Sequence, residues 1–140
     1  MLNADYITGL VDGEGSFNVH VWTPESSVRR RALVELRFYL KLIDKDKIVL
    51  EELQTFFQCG KIYQQKDYRP NHQHCNRFEV FNRKELAEVI VPFFETHPLR
   101  TVSKQRDFEL FKQILSLVQE KEHLNSTGLS RIHSLKTQMH

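Results

Sequence analysis

The chain has 140 residues, of which 40% are hydrophobic, 27% charged and 11% aromatic, with a formal net charge of +2. This composition fits one globular domain and excludes a disordered chain, a collagen-like repeat and a two-domain enzyme. The two cysteines, Cys59 and Cys75, are too few for a disulfide framework or a Cys-rich zinc site, and no apolar run approaches the roughly 18 residues of a membrane-spanning helix. Because the N-terminus also lacks the features of a signal peptide, we expect an intracellular protein with no membrane partner.

The positive charge is concentrated in one part of the chain. Residues 24–84 contain 13 Lys and Arg against 8 Asp and Glu, a net charge of +5, and the other residues sum to −3. This basic part is also the part whose pattern predicts a sheet, so it offers a surface on which a polyanion could lie, although an ordinary solvated face has the same composition.

The first two predicted elements are a helix and a strand. Asn3 can cap a helix with apolar residues at helical spacing, which ends where Gly13 and Gly15 follow each other closely. The period then changes to two, because residues 17–22 alternate between apolar and polar side chains. This alternation predicts a strand that enters a turn at Pro24.

A long two-faced strand is predicted from Val28 to Ile43, where seven of the eight even-numbered residues are apolar. Fourteen of these residues would extend about 46 Å, longer than the ~34 Å of one turn of duplex DNA. Asp46 can then cap a second helix, which Gly60 closes.

The second half of the pattern repeats the first and then adds helices. A hairpin follows from residue 61 to residue 80, and the sequence Asn82-Arg-Lys-Glu has the form of a capping box that opens a helix limited by Pro92. After a loop that ends at Ser103, two further helices are predicted. The order helix, two strands, helix, two strands, helix predicts an α+β fold whose helices cover one sheet face and leave the polar, basic face open.

Two glycines in the first helix indicate a close helix partner. Gly9 and Gly13 lie four residues apart, and each disfavours a helix by about 1 kcal/mol relative to Ala. A face without side chains lets another helix approach nearly backbone to backbone. Since the chain offers no obvious partner helix, a second copy related by a two-fold axis is the natural one.

Two acidic residues at the end of this helix indicate a cation. Asp12 and Glu14 lie where the helix dipole and the free carbonyl groups disfavour a further negative charge. Carboxylate and carbonyl oxygens are the ligands that Mg²⁺ prefers. The alternative is that both carboxylates only solvate the start of a turn.

Residues 7–15, Ile-Thr-Gly-Leu-Val-Asp-Gly-Glu-Gly, resemble the LAGLIDADG motif of homing endonucleases, and Ser16-Phe17 continues it. Three later blocks, at residues 42–63, 99–108 and 123–135, resemble further blocks of the same family in the same order. The resemblance covers essentially the whole chain and is to the single-motif, intron-encoded type, which implies a prokaryotic cytoplasm or an organelle as the compartment. It implies one domain over residues 1–140 with the αββαββα LAGLIDADG homing-endonuclease fold, extra C-terminal helices and a saddle-shaped antiparallel sheet facing DNA.

The resemblance also implies an activity, a cofactor and partners. Single-motif members act as homodimers that cleave both strands of a long pseudo-palindromic DNA site across the minor groove and leave 3′ overhangs. The expected cofactor is Mg²⁺, for which Mn²⁺ should substitute, whereas Ca²⁺ should bind without supporting cleavage. The motif helices would meet at the two-fold axis through Ile7, Gly9, Leu10 and Gly13.

Four residues receive catalytic or metal-binding roles from the resemblance. Glu14 would be the metal-binding acid and Gly13 would contribute its backbone carbonyl. Lys104 lies where the family has a basic residue near the scissile phosphate. Asp44 lies where relatives often have a polar residue that organises water, and Asp12 is expected to hydrogen-bond near the helix junction rather than to bind metal.

The polar side chains of the open sheet face are the candidates for reading DNA. Arginine suits guanine, and Asn or Gln suits adenine. The candidates are Asn18, His20, Trp22, Arg29, Arg31, Arg37, Tyr39, Lys41, Lys61, Tyr63, Gln65 and Arg77.

Two other functions are compatible with the same fold. One is an intron RNA maturase, for which intron RNA would be the partner, and the other is a catalytically inactive DNA-binding regulator. A transition-metal site at His72, His74 and Cys75 has little support, because the hairpin tip offers no fourth ligand.

Overall fold

The computed structural model describes residues 1–24 and 31–140. Its elements in chain order are helix α1 (Ala4–Glu14), strands β1 (Gly15–Trp22) and β2 (Leu33–Ile43), helix α2 (Lys47–Phe57), strands β3 (Lys61–Gln65) and β4 (Cys75–Val80), helix α3 (83–96), helix α4 (Val102–Gln119) and helix α5 (Ser126–Thr137). Short 3₁₀ turns occupy Asp44–Asp46 and Glu122–Leu124. The predicted α+β order of elements is confirmed.

The four strands form one antiparallel sheet in the order β1-β2-β4-β3. Gly15 pairs with Leu40 at one end of the β1–β2 ladder, and Trp22 pairs with Leu33 at the other. The sheet therefore has one end next to the last residue of α1 and a distant end where β2 begins.

The core lies between one sheet face and the helices. Val34, Leu36, Phe38 and Leu40 of β2 are all buried, as the predicted alternation requires. Phe17 of β1 contacts aromatic rings from β2, α3 and α4, with ring centroids 5.2–5.7 Å apart. The apolar face of each strand thus holds the helices in place, and the polar face stays open.

The second strand is shorter than predicted. β2 begins at Leu33 rather than at Val28, because its partner β1 ends at Trp22, the residue opposite Leu33. Residues 28–30 lie outside the described part of the chain, and so does the DNA-binding candidate Arg29. Arg31 lies within the described part of the chain, two residues before β2 begins.

The prediction that Pro92 limits the third helix is wrong. Helix α3 runs through Pro92 to Thr96 and consists of Arg83–Glu85 in α form, Leu86–Ile90 in π form and Val91–Thr96 in α form. In the π turn the Val91 N–H donates to the carbonyl of Leu86, five residues earlier. This wider turn makes room for the Pro92 ring, which in a regular α-helix would clash with the carbonyl group of the residue four positions earlier.

The helix termini agree with the predicted caps in two of three places. The side chains of Asn3 and Asn82 accept hydrogen bonds from the Tyr6 and Glu85 N–H groups. Asp46 lies at the N-terminal boundary of α2, but its side chain makes no capping hydrogen bond. Helix α4 begins at Val102, slightly before the predicted loop end.

Candidate functional site

The C-terminal end of α1 presents oxygen ligands to solvent. Glu14 is the last residue of the helix and is exposed, as is Gly13. The last carbonyl groups of a helix have no partner four residues on, so Gly13 offers an oxygen next to the Glu14 carboxylate. Hard oxygen donors of this kind suit Mg²⁺.

Asp12 joins this end of α1 to the start of α4. Its carboxylate accepts hydrogen bonds from the Arg100 N–H at 2.9 and 3.1 Å, from the Thr101 N–H at 3.1 Å and from the Thr101 hydroxyl at 3.0 Å. Burial acts to raise the pKa of Asp12, but these hydrogen bonds and the positive charge of Lys104 outweigh it and hold the pKa below its usual value. The prediction that Asp12 hydrogen-bonds near the helix junction is confirmed.

Through this connection the structure brings Lys104 to the end of α1. Lys104 lies in the first turn of α4 and is half-buried. Its charge acts on Asp12, two residues before Glu14. Lys104 therefore lies near Asp12 at the C-terminal end of α1.

Asp44 lies at the same end of the sheet but further from α1. It follows β2, and its carboxylate accepts a hydrogen bond of 2.7 Å from the side chain of the buried Asn76 in β4. Gly15, the residue after Glu14, pairs with Leu40, and Asp44 lies four residues beyond Leu40, roughly 13 Å further along the chain. Asp44 is thus a separate polar residue at the edge of this region.

One chain alone does not supply a metal site made of side chains. Within residues 1–24 and 31–140 there is no group of three or more His, Cys, Asp or Glu side chains that could hold a metal ion. The donor chemistry of Glu14 and Gly13 fits Mg²⁺, but the set is incomplete without another source of oxygen ligands.

The outer face of α1 has unoccupied space along it. A Cβ atom built on Gly9 or Gly13 would have nothing within 4 Å. Tyr6 is 49% exposed on the same face, and Leu10 is half-buried. The prediction that Ile7 contacts a second copy is wrong, because its side chain is 0% exposed and packs into its own core.

The open sheet face carries most of the predicted DNA-binding residues. Asn18, His20 and Trp22 are exposed on β1, and Lys41 is exposed on β2. On β3 Lys61, Tyr63 and Gln65 are exposed as well. Arg31 is not on this face and lies instead at the distant end of the sheet.

Two arginines of this face are held by an acid that the sequence analysis did not select. Glu79 of β4 is only 6% exposed, and its carboxylate lies 3.5 Å from a guanidinium nitrogen of Arg37 and 3.3 Å from one of Arg77. The Arg77 guanidinium also stacks over the Tyr39 ring, 3.5 Å from its centroid. This arrangement depends on the pairing of Tyr39 with Glu79 between β2 and β4, which no local sequence pattern reveals.

No helix within the described ranges has both the length and the apolar character needed to cross a membrane.

Comparison with known proteins gives a consistent result. A family model described as LAGLIDADG endonuclease matches residues 7–115. The "Probable intron-encoded endonuclease 2" of Neurospora crassa is 35% identical over 133 residues, which are 94% of this chain and 28% of that protein. The "Probable intron-encoded DNA endonuclease 1" of Mycosarcoma maydis is 33% identical over 103 residues, 74% of this chain and 34% of that protein. The chain thus spans about a third or less of the length of these relatives.

Solved structures share the fold. The homing endonuclease I-TnaI is 33% identical with a TM-score of 0.82, over 99% of this chain and 88% of that one. I-SmaMI, bound to an uncleaved DNA target in the presence of calcium ions, is 34% identical with a TM-score of 0.88, over 99% of this chain and 45% of that one.

Proposed function

The chain belongs to the LAGLIDADG endonuclease family, and on this premise we propose that it cleaves both strands of a specific DNA site as a homodimer with Mg²⁺ as its cofactor. The observation that carries the proposal is the end of α1, where the Glu14 carboxylate is exposed and where Asp12 connects the helix to the start of α4, whose first turn carries Lys104. The sheet face beyond it is lined with Arg, Lys, Asn and Gln side chains suited to base edges and phosphates.

The homodimer is supported by the open face of α1. The space around Gly9 and Gly13 accepts a second helix, and Tyr6 and Leu10 supply apolar surface beside it. The lengths of the solved relatives fit this proposal. The I-SmaMI chain is more than twice as long as the part that matches, so it has room for two such units, whereas the I-TnaI chain is only slightly longer than the match and has room for one. A pair of units would then come from one long chain or from two short ones.

In this dimer, Glu14 and the Gly13 carbonyl of each chain would hold Mg²⁺ near the two-fold axis, and oxygen atoms of water and of the scissile phosphate would supply the ligands that the side chains lack. When bound, Mg²⁺ stabilises negative charge on the scissile phosphate. Lys104 would stabilise developing charge on the same group or orient the attacking water. Asp44, fixed by Asn76, would hold water at the edge of the site.

Hydrolysis then needs no covalent intermediate. Water attacks the phosphorus atom and loses a proton, the bond from phosphorus to one bridging oxygen breaks, and that oxygen takes up a proton to become a hydroxyl group, while the other bridging oxygen keeps the phosphate. By family resemblance we expect the two cuts to lie across the minor groove and to leave 3′ overhangs. The names of the relatives favour an intron as the coding element, and the compartment is then that of the genome carrying the intron.

The proposal is tested by incubating the protein with the host locus that lacks the coding element, in Mg²⁺. Wild type should cut both strands at one site, and EDTA should abolish the reaction. Glu14→Gln should reduce the rate of cleavage by at least about 10²-fold. Lys104→Ala should also reduce the rate, but by a smaller factor. Asp5→Asn, which removes an acid from the first turn of the same helix, is the matched control and should cut normally.

Two outcomes would contradict the proposal. Tight site-specific binding by wild type without any cut would favour the inactive DNA-binding regulator. Absence of DNA binding, together with splicing of the intron that depends on the protein and survives Glu14→Gln, would favour the maturase.

A further inference from the structure

A recess of about 370 Å³ lies on the open sheet face, where β2, β4 and β3 run side by side. Its lining side chains come from these three strands and from the residue that follows β4, and they are Arg37, Tyr63, Gln65, Arg77, Glu79 and Phe81. A duplex that lies on this face would place the edge of a base pair over the recess. The groups exposed there therefore decide which base is accepted.

Two acids on this face are unexpected for a surface that binds DNA. Glu35 lies on the same side of β2 as Arg37, and Glu79 contacts both Arg37 and Arg77, so two negative charges offset two positive ones. A carboxylate is repelled by the phosphate backbone, and a face built only to bind phosphates would gain affinity without either acid. The two acids therefore need a role that concerns the arginines.

Arg37 is held between the two acids. Its Nη2 atom lies 2.7 Å from the Glu35 carboxylate, and its Nη1 atom lies 3.5 Å from that of Glu79. These contacts use two of the five N–H donors of a guanidinium, and no acceptor within residues 1–24 and 31–140 takes the other three. Because the Arg37 side chain is 41% exposed, the remaining donors can reach a ligand above the sheet.

Arg77 supports this arrangement from the floor of the recess. Its guanidinium stacks over the Tyr39 ring, 3.5 Å from the centroid, and one of its nitrogens lies 3.3 Å from the Glu79 carboxylate. The side chains of Arg77 and Glu79 are only 22% and 8% exposed. Arg37 is therefore the arginine of this recess that a base can reach most readily.

The chemistry of the free donors selects among the possible ligands. Guanine presents two acceptors, O6 and N7, side by side in the major groove, and an arginine can donate to both at once. Adenine pairs its acceptor with a donor, cytosine presents a donor, and thymine presents one acceptor beside a methyl group. A phosphate would lie next to two carboxylates that repel it. The arrangement thus favours a guanine edge over the other bases and over phosphate.

We propose that Arg37 reads a guanine of the target DNA and that Glu35 and Glu79 are positioning residues, which hold its guanidinium in the required orientation. This inference rests on the proposed function, because it takes the major groove of the duplex to lie on the open sheet face. Holding the side chain in place before binding reduces the entropy lost when the complex forms. Two acids that weaken general attraction to DNA would in this way contribute to its specificity.

The test measures binding to the host locus that lacks the coding element and to every single-base variant of the target, in Ca²⁺, where we expect binding without cleavage. Arg37→Lys keeps the charge but removes the planar pair of donors. Glu35→Gln and Glu79→Gln each remove one positioning acid. Glu51→Gln makes the same change of charge at an exposed residue of α2, in the helix layer, and is the matched control.

The position that Arg37 reads is the one at which Arg37→Lys lowers a preference for guanine. Wild type should prefer guanine there by roughly 5- to 150-fold, the range for a bidentate contact, and Arg37→Lys should reduce this preference by about fivefold or more. Glu35→Gln and Glu79→Gln should reduce the preference at the same position and leave the other positions unchanged. The control should match wild type at every position.

Two further readouts separate positioning from a general loss of structure. Binding of Glu35→Gln to unrelated DNA should not fall, because the variant removes a negative charge from the surface that faces DNA. In the Arg37→Lys background, loss of either acid should not change the preference for guanine any further, since both acids act through Arg37. A loss of specificity spread over all positions, or additive losses in the double variants, would overturn the inference.

The remaining outcomes are also decisive. If urea unfolding shows that Glu79→Gln does not fold, Glu35→Gln decides alone, because its side chain is 32% exposed and its removal leaves the core intact. Site-specific binding with unchanged base preferences in Arg37→Lys or Glu35→Gln would refute the inference and leave the proposed function standing. Failure of wild type to bind any site in the host locus would refute the proposed function, and this inference with it.

Discussion

Asp12 is expected to stabilise the fold by tying the end of α1 to the start of α4. Its carboxylate accepts four hydrogen bonds of 2.9–3.1 Å from Arg100 and Thr101, the two residues that precede α4. Hydrogen bonds to a charged group contribute about 1.5–3 kcal/mol. Asp12→Ala should therefore lower the free energy of unfolding by about 2 kcal/mol, or roughly 6–8 °C in Tm.

The dependence on pH gives this prediction a second readout. Because the pKa of Asp12 is lowered in the folded state, its contribution is complete above the unfolded pKa of about 3.9 and is lost as the pH falls through the folded value. The difference in stability between wild type and Asp12→Ala should be constant from pH 7 to pH 5 and should shrink below about pH 4.

The assay is urea unfolding followed by circular dichroism, with Asp46→Ala as the matched control. Asp46 also lies at the start of a helix, but its side chain makes no capping hydrogen bond, so its removal should change stability by less than about 0.5 kcal/mol. Asp12→Asn should recover part of the loss, since its amide oxygen can still accept from the backbone. Equal losses for Asp12→Ala and Asp46→Ala, or a difference that does not depend on pH, would refute the reasoning.

Three further predictions follow from glycine and cysteine positions. Gly9→Leu should dissociate the proposed dimer in light scattering and abolish cutting. The unfolding midpoint of the monomer should stay within a few degrees, because a Cβ atom at this position meets nothing within 4 Å outside the nearby backbone of its own helix. An active dimeric variant would contradict the packing. Gly60→Ala should destabilise by more than about 1 kcal/mol in urea, since its φ is +88° and a Cβ would lie 2.6 Å from the Phe78 ring, whereas Gly13→Ala should not destabilise. Burial, with a smaller effect of Glu85, raises the pKa of Cys59 to about 11. In a Cys75→Ser variant at pH 8, the Cys59 thiol should therefore react with an aromatic disulfide reagent roughly 100-fold more slowly than a thiol of ordinary pKa. Rapid labelling would show that the thiol is not buried.

The sequence is sufficient to predict most of the fold because its periods are clear. The even-numbered apolar residues of β2 and the asparagine caps at Asn3 and Asn82 each determine a local structure independently of distant contacts. Pro92 shows the limit of this reasoning. Its effect on α3 depends on whether the preceding turn can widen, which is a property of the packed helix rather than of the residue.

The candidate site is less predictable because it depends on which strands are neighbours. The motif identifies Glu14, but the link from Asp12 to Arg100 and Thr101 spans 88 and 89 residues of sequence. The same applies to the Glu79 carboxylate beside Arg37, since register between β2 and β4 brings them together.

Ile7 illustrates a different difficulty. The motif contains both the residues that face a partner helix and those that face the chain's own core, and spacing alone does not tell the two sides of α1 apart. The burial of Ile7 and Val11 and the open space at Gly9 identify the sides.

The central claim is that each chain of a dimer cuts one strand with its own Glu14. The most direct measurement uses a mixed dimer, in which one tagged chain is wild type and a differently tagged chain carries Glu14→Gln, purified through both tags and incubated in Mg²⁺ with a supercoiled plasmid that contains the target. We expect nicked circles as the final product, while a doubly tagged wild-type dimer gives linear DNA. Linear DNA from the mixed dimer at the wild-type rate would contradict the claim.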